Sequence, residues 1–139
     1  MEGLPWDRTG EGVPGLPHTA FSLVWHMGAC MRHVIRRAES ELHRQPVYPT
    51  EFWPAHAAPL AKSEWVIVVQ DALRGEQILQ AWVCTADLMV PHAPSAPIAA
   101  DGPASVPLIV ELILTARHNA FHIGQLMDYR SLIGLPVAQ

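Results

Sequence analysis

The sequence lacks a basic excess and a long apolar run, and each absence narrows the range of functions. Nine Lys and Arg stand against 13 Asp and Glu, a formal net charge of −4, whereas nucleic-acid-binding surfaces usually carry a basic excess. No apolar run approaches the roughly 18 residues that a membrane span needs. The stretch 106–114 is too short, and Glu111 interrupts it. We therefore expect neither a nucleic-acid partner nor a membrane partner.

The sequence is also poor in cysteine. Cys30 and Cys84 are the only two, and neither belongs to a CxxC motif. Both lie in predicted helices, which favours free thiols in a reducing compartment over a disulfide. The first residues lack the basic start and apolar run of a secretory signal. By elimination, we expect a cytoplasmic location.

Proline is present but unevenly distributed. All 13 prolines fall within 5–17, 46–59 and 91–107 or at 136. Because proline costs about 3 kcal/mol inside a helix, the three proline-free stretches between these clusters are predicted helices. The sequence thus predicts a single all-α domain over 1–139, with an irregular segment 1–17 ahead of three long bundle helices.

The first two helices have recognisable boundaries. Thr19 is a predicted N-cap for a helix that runs to about His43. Ser63 is a predicted N-cap for a second helix that ends near Cys84, and Gly75 weakens its middle. Between them lies a long proline-rich loop, 44–62, whose aromatic residues should anchor it to the bundle: Tyr48, Phe52 and Trp53.

The third helix carries the most informative pattern. It is predicted over 106–133, with Ser105 as N-cap and Gly134 at the C′ position. Its other sides are apolar nearly all round, which predicts a buried helix. A helical projection places one polar stripe on it, formed by Leu108, Glu111, Thr115, His118, His122, Gln125 and Tyr129.

His118 and His122 are four residues apart, so they lie on one helix face and their neutral imidazoles can bind one metal ion. One further ligand from a facing helix would give a three-histidine site with open positions, which suits catalysis better than a closed structural site. The pair alone is weak evidence, because most such pairs bind nothing. Asn119 replaces the glutamate that zinc proteases use as a base, which excludes that chemistry.

Two segments resemble the DinB/YfiT-like metalloenzyme family. The string 118–125 (HNAFHIGQ), followed by Arg130 and Ile133-Gly134, resembles the family's last-helix signature, and 21–27 (FSLVWHM) resembles the segment that carries its first ligand. The resemblance implies a four-helix bundle with a three-histidine site for a divalent ion, zinc first and nickel, iron or manganese as alternatives. The matching residues are His26, His118 and His122. His33, two turns after His26, is the competing ligand.

Further residues are expected to line the cavity beside this site: Cys30, Glu111, Thr115 and Gln125. Glu111 lies two turns before His118, about 10.5 Å along the axis. It is therefore expected in the cavity rather than on the same ion. Gln125 has an equally good alternative, which is packing between helices.

The family also has a helix ahead of the one that carries His26, and this chain shows no equivalent. Either the sequence starts late or a second copy supplies the cover. Family members are often homodimers, so a homodimer is expected.

A divalent ion on three neutral imidazoles can stabilise a thiolate or acidify a bound water. Known relatives of the family transfer thiols, so the resemblance places thiol S-transfer, with a low-molecular-weight thiol, ahead of hydrolysis of a small-molecule substrate. The alternative is a non-catalytic, metal-binding, stress-related dimer or scaffold, and a third possibility is a helical domain without metal. An open cavity favours the enzyme. A cavity plugged by Trp25, Phe121 or the proline-rich loop favours the scaffold.

Overall fold

The protein is described by a computed structural model that covers residues 3–40, 42–92 and 105–135. Most of this part is helical, which agrees with the predicted all-α class. The three long helices are α1 (Ala20–Glu39), α2 (Lys62–Thr85) and α3 (Leu108–Leu132). The central helix is α1, which packs against both of the others. None of the described helices is long and apolar enough to cross a membrane.

Helix α1 begins where the sequence predicts. The Thr19 hydroxyl accepts a hydrogen bond from the Ser22 backbone N–H at 3.2 Å, the N-cap interaction. The predicted end at His43 is wrong, because the helix stops at Glu39 and Ser40 is extended. Beyond it the chain turns back, so that the Arg37 guanidinium donates to the His43 carbonyl oxygen at 3.1 Å. This turn ends the helix one turn early.

Helix α2 begins at Lys62, so the prediction of Ser63 as N-cap is wrong. The Glu64 carboxylate instead accepts a hydrogen bond from the Leu60 backbone N–H at 2.6 Å. The expected weak point at Gly75 has a packing role, because a Cβ there would lie 3.0 Å from the Met31 Cβ. Gly75 therefore allows a close approach of α1 and α2.

A short antiparallel ladder precedes α3. Strands β1 (Pro91–His92) and β2 (Val106–Pro107) pair with each other. Residues 86–104 form a predicted proline- and alanine-rich connection, of which 93–104 lie outside the described residues. Because β2 runs directly into the helix, α3 starts at Leu108 after Pro107. The prediction of Ser105 as its N-cap is therefore wrong.

The C-terminal end of α3 matches the predicted stop signal. Gly134 has a φ of +75° and donates its N–H to the Ser131 carbonyl at 3.0 Å. Leu135 donates to the Arg130 carbonyl at 2.9 Å. This pair of bonds is a Schellman motif, which satisfies the last free carbonyl groups of the helix.

The prediction that α3 is buried nearly all round is wrong for this chain alone. One side carries exposed apolar side chains: Ile113, Leu114, Phe121, Ile123, Met127 and Leu132. The buried side of the helix holds three polar residues of the stripe, Glu111, Thr115 and His122, together with Asn119 and several leucines. Part of its polar stripe therefore faces the inside of the protein, and much of its apolar surface faces outward.

The segment ahead of α1 contains one 3-10 turn, Trp6–Arg8, and is tied to the helices. The Thr9 carbonyl accepts the Phe21 backbone N–H at 2.9 Å. The fully buried Tyr129 hydroxyl donates toward the Arg8 carbonyl at 2.6 Å, with the Glu11 carbonyl 3.0 Å away. The segment thus covers the C-terminal half of α3.

Candidate metal centre

Three histidines from two helices converge at one point. His26 comes from α1, and His118 and His122 come from successive turns of α3. The Nε2 atom of His118 lies 3.0 Å from that of His26 and 3.1 Å from that of His122. One ring nitrogen from each residue lies within 4.8 Å of the others. The structure therefore brings together the three residues that the family resemblance implies.

His33, the competing ligand, lies elsewhere. Its Nδ1 is 3.1 Å from Nε2 of His43, and its ring meets Phe52 edge-on at a centroid distance of 5.6 Å. The turn after α1 creates this second imidazole pair. His33 is buried, but its ring contacts His43 and Phe52 and not the three converging histidines.

Oxygen atoms lie beside the outward-facing nitrogens of the cluster. The His26 Nδ1–H donates to the Phe52 backbone carbonyl at 2.7 Å, and His122 Nδ1 lies 2.6 Å from Gln125 Oε1. His118 has a longer contact, 3.4 Å from its Nδ1 to Asn119 Oδ1. A hydrogen bond at Nδ1 fixes the tautomer and leaves the Nε2 lone pair for an ion. The short contacts thus orient the rings of His26 and His122 with Nε2 toward the cluster.

An aromatic stack fixes His26 from the side. The Trp53 ring lies nearly parallel to the His26 ring, with centroids 3.9 Å apart and an interplanar angle of 3°. Trp53 also stacks on His18, with ring centroids 4.0 Å apart. The proline-rich loop therefore supplies both a hydrogen-bond acceptor, from Phe52, and a flat packing surface to one histidine.

The electrostatics favour neutral imidazoles at His26 and His118. Burial, followed by the neighbouring histidines, lowers the pKa of His26 to about 4. Burial and the adjacent His122 also lower the pKa of His118. Neutral Nε2 atoms facing one another repel through their lone pairs, and one proton on His118 can satisfy only one neighbour at a time. A cation in their midst would satisfy all three, so the donor set fits a metal ion.

Cys30 lies next to this cluster on α1. Its Sγ is 3.7 Å from Nε2 of His26 and 4.0 Å from Nε2 of His118. Burial raises the pKa of the thiol to about 12, so without a metal it remains protonated at neutral pH. Cys84, the other cysteine, is exposed on α2.

A partly open cavity of about 610 Å³ adjoins the cluster, within the usual range of about 300–1,000 Å³ for small-molecule sites. Trp25 does not plug it, because that ring lies under the Arg32 guanidinium at 5.7 Å. Phe121 is a largely exposed lining residue. The cavity is lined by His26, Cys30, His33, Val34, Gln45, Tyr48, Phe52, Trp53, Glu111, Leu114, Thr115, His118, Phe121 and His122.

The remaining predicted site residues divide into two groups. Glu111, Thr115 and Cys30 all lie in the cavity wall. Glu111 and Thr115 are buried, and Cys30 is partly buried. Gln125 lies behind His122, on the side away from the other imidazoles. The Phe52 carbonyl and the stacked rings of Trp53 and His18 were not anticipated as parts of the site. Their contact with His26 joins distant parts of the chain and leaves no spacing pattern in the sequence.

Comparison of the chain with protein-family models, with curated proteins and with solved structures gives no match in any of the three. The geometry of the centre is therefore the basis on which a function can be inferred.

Proposed function

We propose that this chain is a DinB/YfiT-like protein that binds one divalent metal ion through His26, His118 and His122. We further propose that it is a metal-dependent enzyme acting on a small molecule. The observation that carries the proposal is the convergence of three imidazole nitrogens within 4.8 Å of one another. The oxygen atoms beside the three Nδ1 atoms support it, because they orient the Nε2 atoms toward a common centre.

Three neutral nitrogen ligands suit zinc, and they also suit nickel and iron. Such an ion, when bound, would supply Lewis acidity that stabilises a thiolate or acidifies a water molecule. The protein would contribute the orientation of the rings and a cavity beside them. On the family resemblance, thiol S-transfer stands ahead of hydrolysis.

The cavity supports an enzyme rather than a scaffold. It reaches two of the proposed ligands on α3, His118 and His122, and it is partly open to solvent. Of the three features that would mark a closed site, Trp25 and Phe121 leave the cavity accessible. The third, the proline-rich loop, forms part of the wall and packs on His26 through Trp53. A substrate therefore has room beside the ion.

The chemistry of the wall indicates the substrate class. Most of its surface is apolar, and among the residues that the structure describes in the wall none is Lys or Arg. A ligand that carries several carboxylates would find no cationic partner there apart from the ion. The proposed substrate is therefore a small, largely apolar molecule with one group that the metal recognises.

Hydrolysis is the second candidate. Glu111 supports it, because this buried residue is the carboxylate in the described cavity wall. A carboxylate within a substrate cavity is a candidate general base for a water reaction. Its two-turn offset from His118 requires the substrate to lie between them.

Elemental analysis of the untagged protein tests the metal proposal. We expect about one divalent ion per chain, in line with one three-histidine site. His26→Ala, His118→Ala and His122→Ala should each lose the ion. His33→Ala should keep it, which makes His33 the matched control on α1. Loss of metal in His33→Ala alone would instead assign the metal site to the pair formed by His33 and His43.

A conjugation screen with a panel of low-molecular-weight thiols and apolar electrophiles tests the activity. We expect turnover that depends on added metal and is absent in His118→Ala. Metal-dependent ester or amide cleavage without thiol turnover would favour hydrolysis. A loaded protein that does neither would favour the scaffold.

We also propose that the protein is a homodimer. The exposed apolar side of α3 supports this, since Ile113, Phe121 and Met127 would be covered in such an assembly. Sedimentation of the untagged protein should give twice the mass of the chain. A Met127→Asp variant should sediment as a monomer, whereas a monomeric wild type would overturn the proposal.

A further inference from the structure

Cys30 completes a symmetric arrangement around the candidate metal centre. On α3, His118 and His122 are four residues apart and lie on one face. On α1, His26 and Cys30 have the same spacing, and both side chains turn toward the α3 pair. Each of the two helices therefore carries two side chains of metal-binding type on successive turns, and the Cys30 sulfur lies beside the point where the three imidazoles converge.

Four of the six ligand–ligand distances are close to those of a four-ligand site. With metal–nitrogen bonds of about 2.0–2.1 Å and a metal–sulfur bond of about 2.3 Å, a tetrahedral ion separates its nitrogen ligands by about 3.3 Å and sulfur from nitrogen by about 3.5 Å. The measured nitrogen separations are 3.0 and 3.1 Å, and the sulfur separations are 3.7 and 4.0 Å. These four distances agree with the tetrahedral edges to within about half an ångström. Among the described residues, the ligand atoms that all lie within 4.8 Å of one another belong to the three histidines and not to Cys30, so a fourth bond requires the sulfur to move closer to them.

The position of Cys30 also matters. Its side chain belongs to the cavity wall, as do those of His118 and His122. A sulfur ligand at this place would occupy a coordination position that a substrate would otherwise reach from the cavity. The cysteine therefore borders both the imidazole cluster and the space proposed for the substrate.

We propose that Cys30 is the fourth ligand of the ion and closes the resting site, giving way when a thiol enters the cavity. This inference rests on the proposed metal site. Cys30 would lose its thiol proton to solvent when its sulfur binds the ion. It regains a proton from the incoming thiol, whose sulfur takes its place. One metal–sulfur bond forms as another breaks, and no oxidant or reductant is involved.

Cobalt(II) loading of the full-length, untagged protein tests the ligand. A thiolate bound to cobalt gives a charge-transfer band in the near ultraviolet, separate from the visible bands of the ion. Wild type should show this band. Cys30→Ser should lose it and should bind cobalt about tenfold or more weakly. Cys84→Ser, the matched control at the exposed cysteine, should keep both the band and the affinity.

A second measurement uses the wild-type protein and so does not depend on whether a variant folds. Zinc should slow the alkylation of Cys30 by iodoacetamide several-fold in wild type, as read by peptide mass spectrometry, and should leave Cys84 unchanged. Equal rates at Cys30 with and without zinc would overturn the ligand assignment. So would a cobalt complex of wild type without the near-ultraviolet band.

The exchange is tested in the cobalt form of Cys30→Ser. Benzyl mercaptan, an apolar thiol, should restore the near-ultraviolet band, and failure to restore it would overturn the exchange. If His118→Ala and His122→Ala lose cobalt while Cys30→Ser matches wild type, the metal site stands and the cysteine ligand is wrong. If wild type binds no cobalt, both proposals fail.

Discussion

Trp53 lies parallel to His26, with ring centroids 3.9 Å apart and an angle of 3° between the planes. The stack joins the proline-rich loop to a proposed ligand on α1. Together with the Phe52 carbonyl at 2.7 Å from Nδ1, it restricts the imidazole to one orientation. The loop is thus part of the candidate centre, although it supplies no ligand.

The first prediction concerns this stack. Trp53→Ala should lower metal affinity by about 10- to 100-fold, the usual range for residues that orient a ligand. Trp53→Phe, which keeps a flat ring, should lose less. Zinc competition titrations measure both. Trp6→Ala, at an exposed tryptophan near the N-terminus, should bind metal like wild type. Equal losses in the Trp6 and Trp53 variants would indicate a general effect on folding.

The second prediction concerns the acceptor behind His122. Gln125→Leu removes the oxygen that lies 2.6 Å from Nδ1, so metal affinity should fall by about 10- to 100-fold. Gln125→Glu keeps an acceptor and should retain most of the affinity. Gln80→Leu, on the exposed side of α2, is the control. If the Leu and Glu variants at 125 bind alike, the hydrogen bond does not orient the ring.

The third prediction concerns pH. The pKa of His26 is about 4 in the folded protein, compared with 6.5 for an unperturbed histidine such as one in the unfolded chain. Between these values the unfolded chain binds a proton that the folded chain does not, so stability falls as pH decreases. Urea unfolding with a chelator present should show this loss from about pH 6.5 to about pH 4. It should be smaller in His26→Gln. Constant or rising stability over that window in wild type would contradict the pKa shift.

The fourth prediction concerns the contact between α1 and α2. Gly75→Ala gains about 1 kcal/mol of helix propensity but places a methyl group 3.0 Å from the Met31 Cβ. Because that Cβ is fixed by the backbone, the overpacking, typically about 1–3 kcal/mol, should outweigh the gain. The net result is a loss of roughly 1 kcal/mol in the free energy of unfolding. Gly12→Ala, which meets nothing within 4 Å, should be neutral or slightly stabilising. Urea denaturation compares the two.

Local signals in the sequence were enough to predict the three helices and the ends where a cap acts. Proline distribution separates the helices, Thr19 starts α1, and Gly134 stops α3. The wrong ends have tertiary causes. The turn that brings His43 to His33 ends α1 at Glu39, and the β-ladder moves the start of α3 to Leu108.

The candidate site shows the same division. The pairing of His118 with His122 is readable because it is periodic, and Gln125 is within one turn of His122. The approach of His26 to these residues came from family resemblance, since nothing local predicts which face of α1 meets α3. The stacking of Trp53 depends on how a loop folds over two helices, which composition and period do not determine.

The buried hydroxyl of Tyr129 has one further consequence. Its acceptors are backbone carbonyls of Arg8 and Glu11, so no side-chain substitution in that segment removes them. Removing residues 1–12 would leave the Tyr129 hydroxyl in the interior without its hydrogen-bond acceptors. Any shortened version made for crystallography or spectroscopy should therefore keep its first dozen residues.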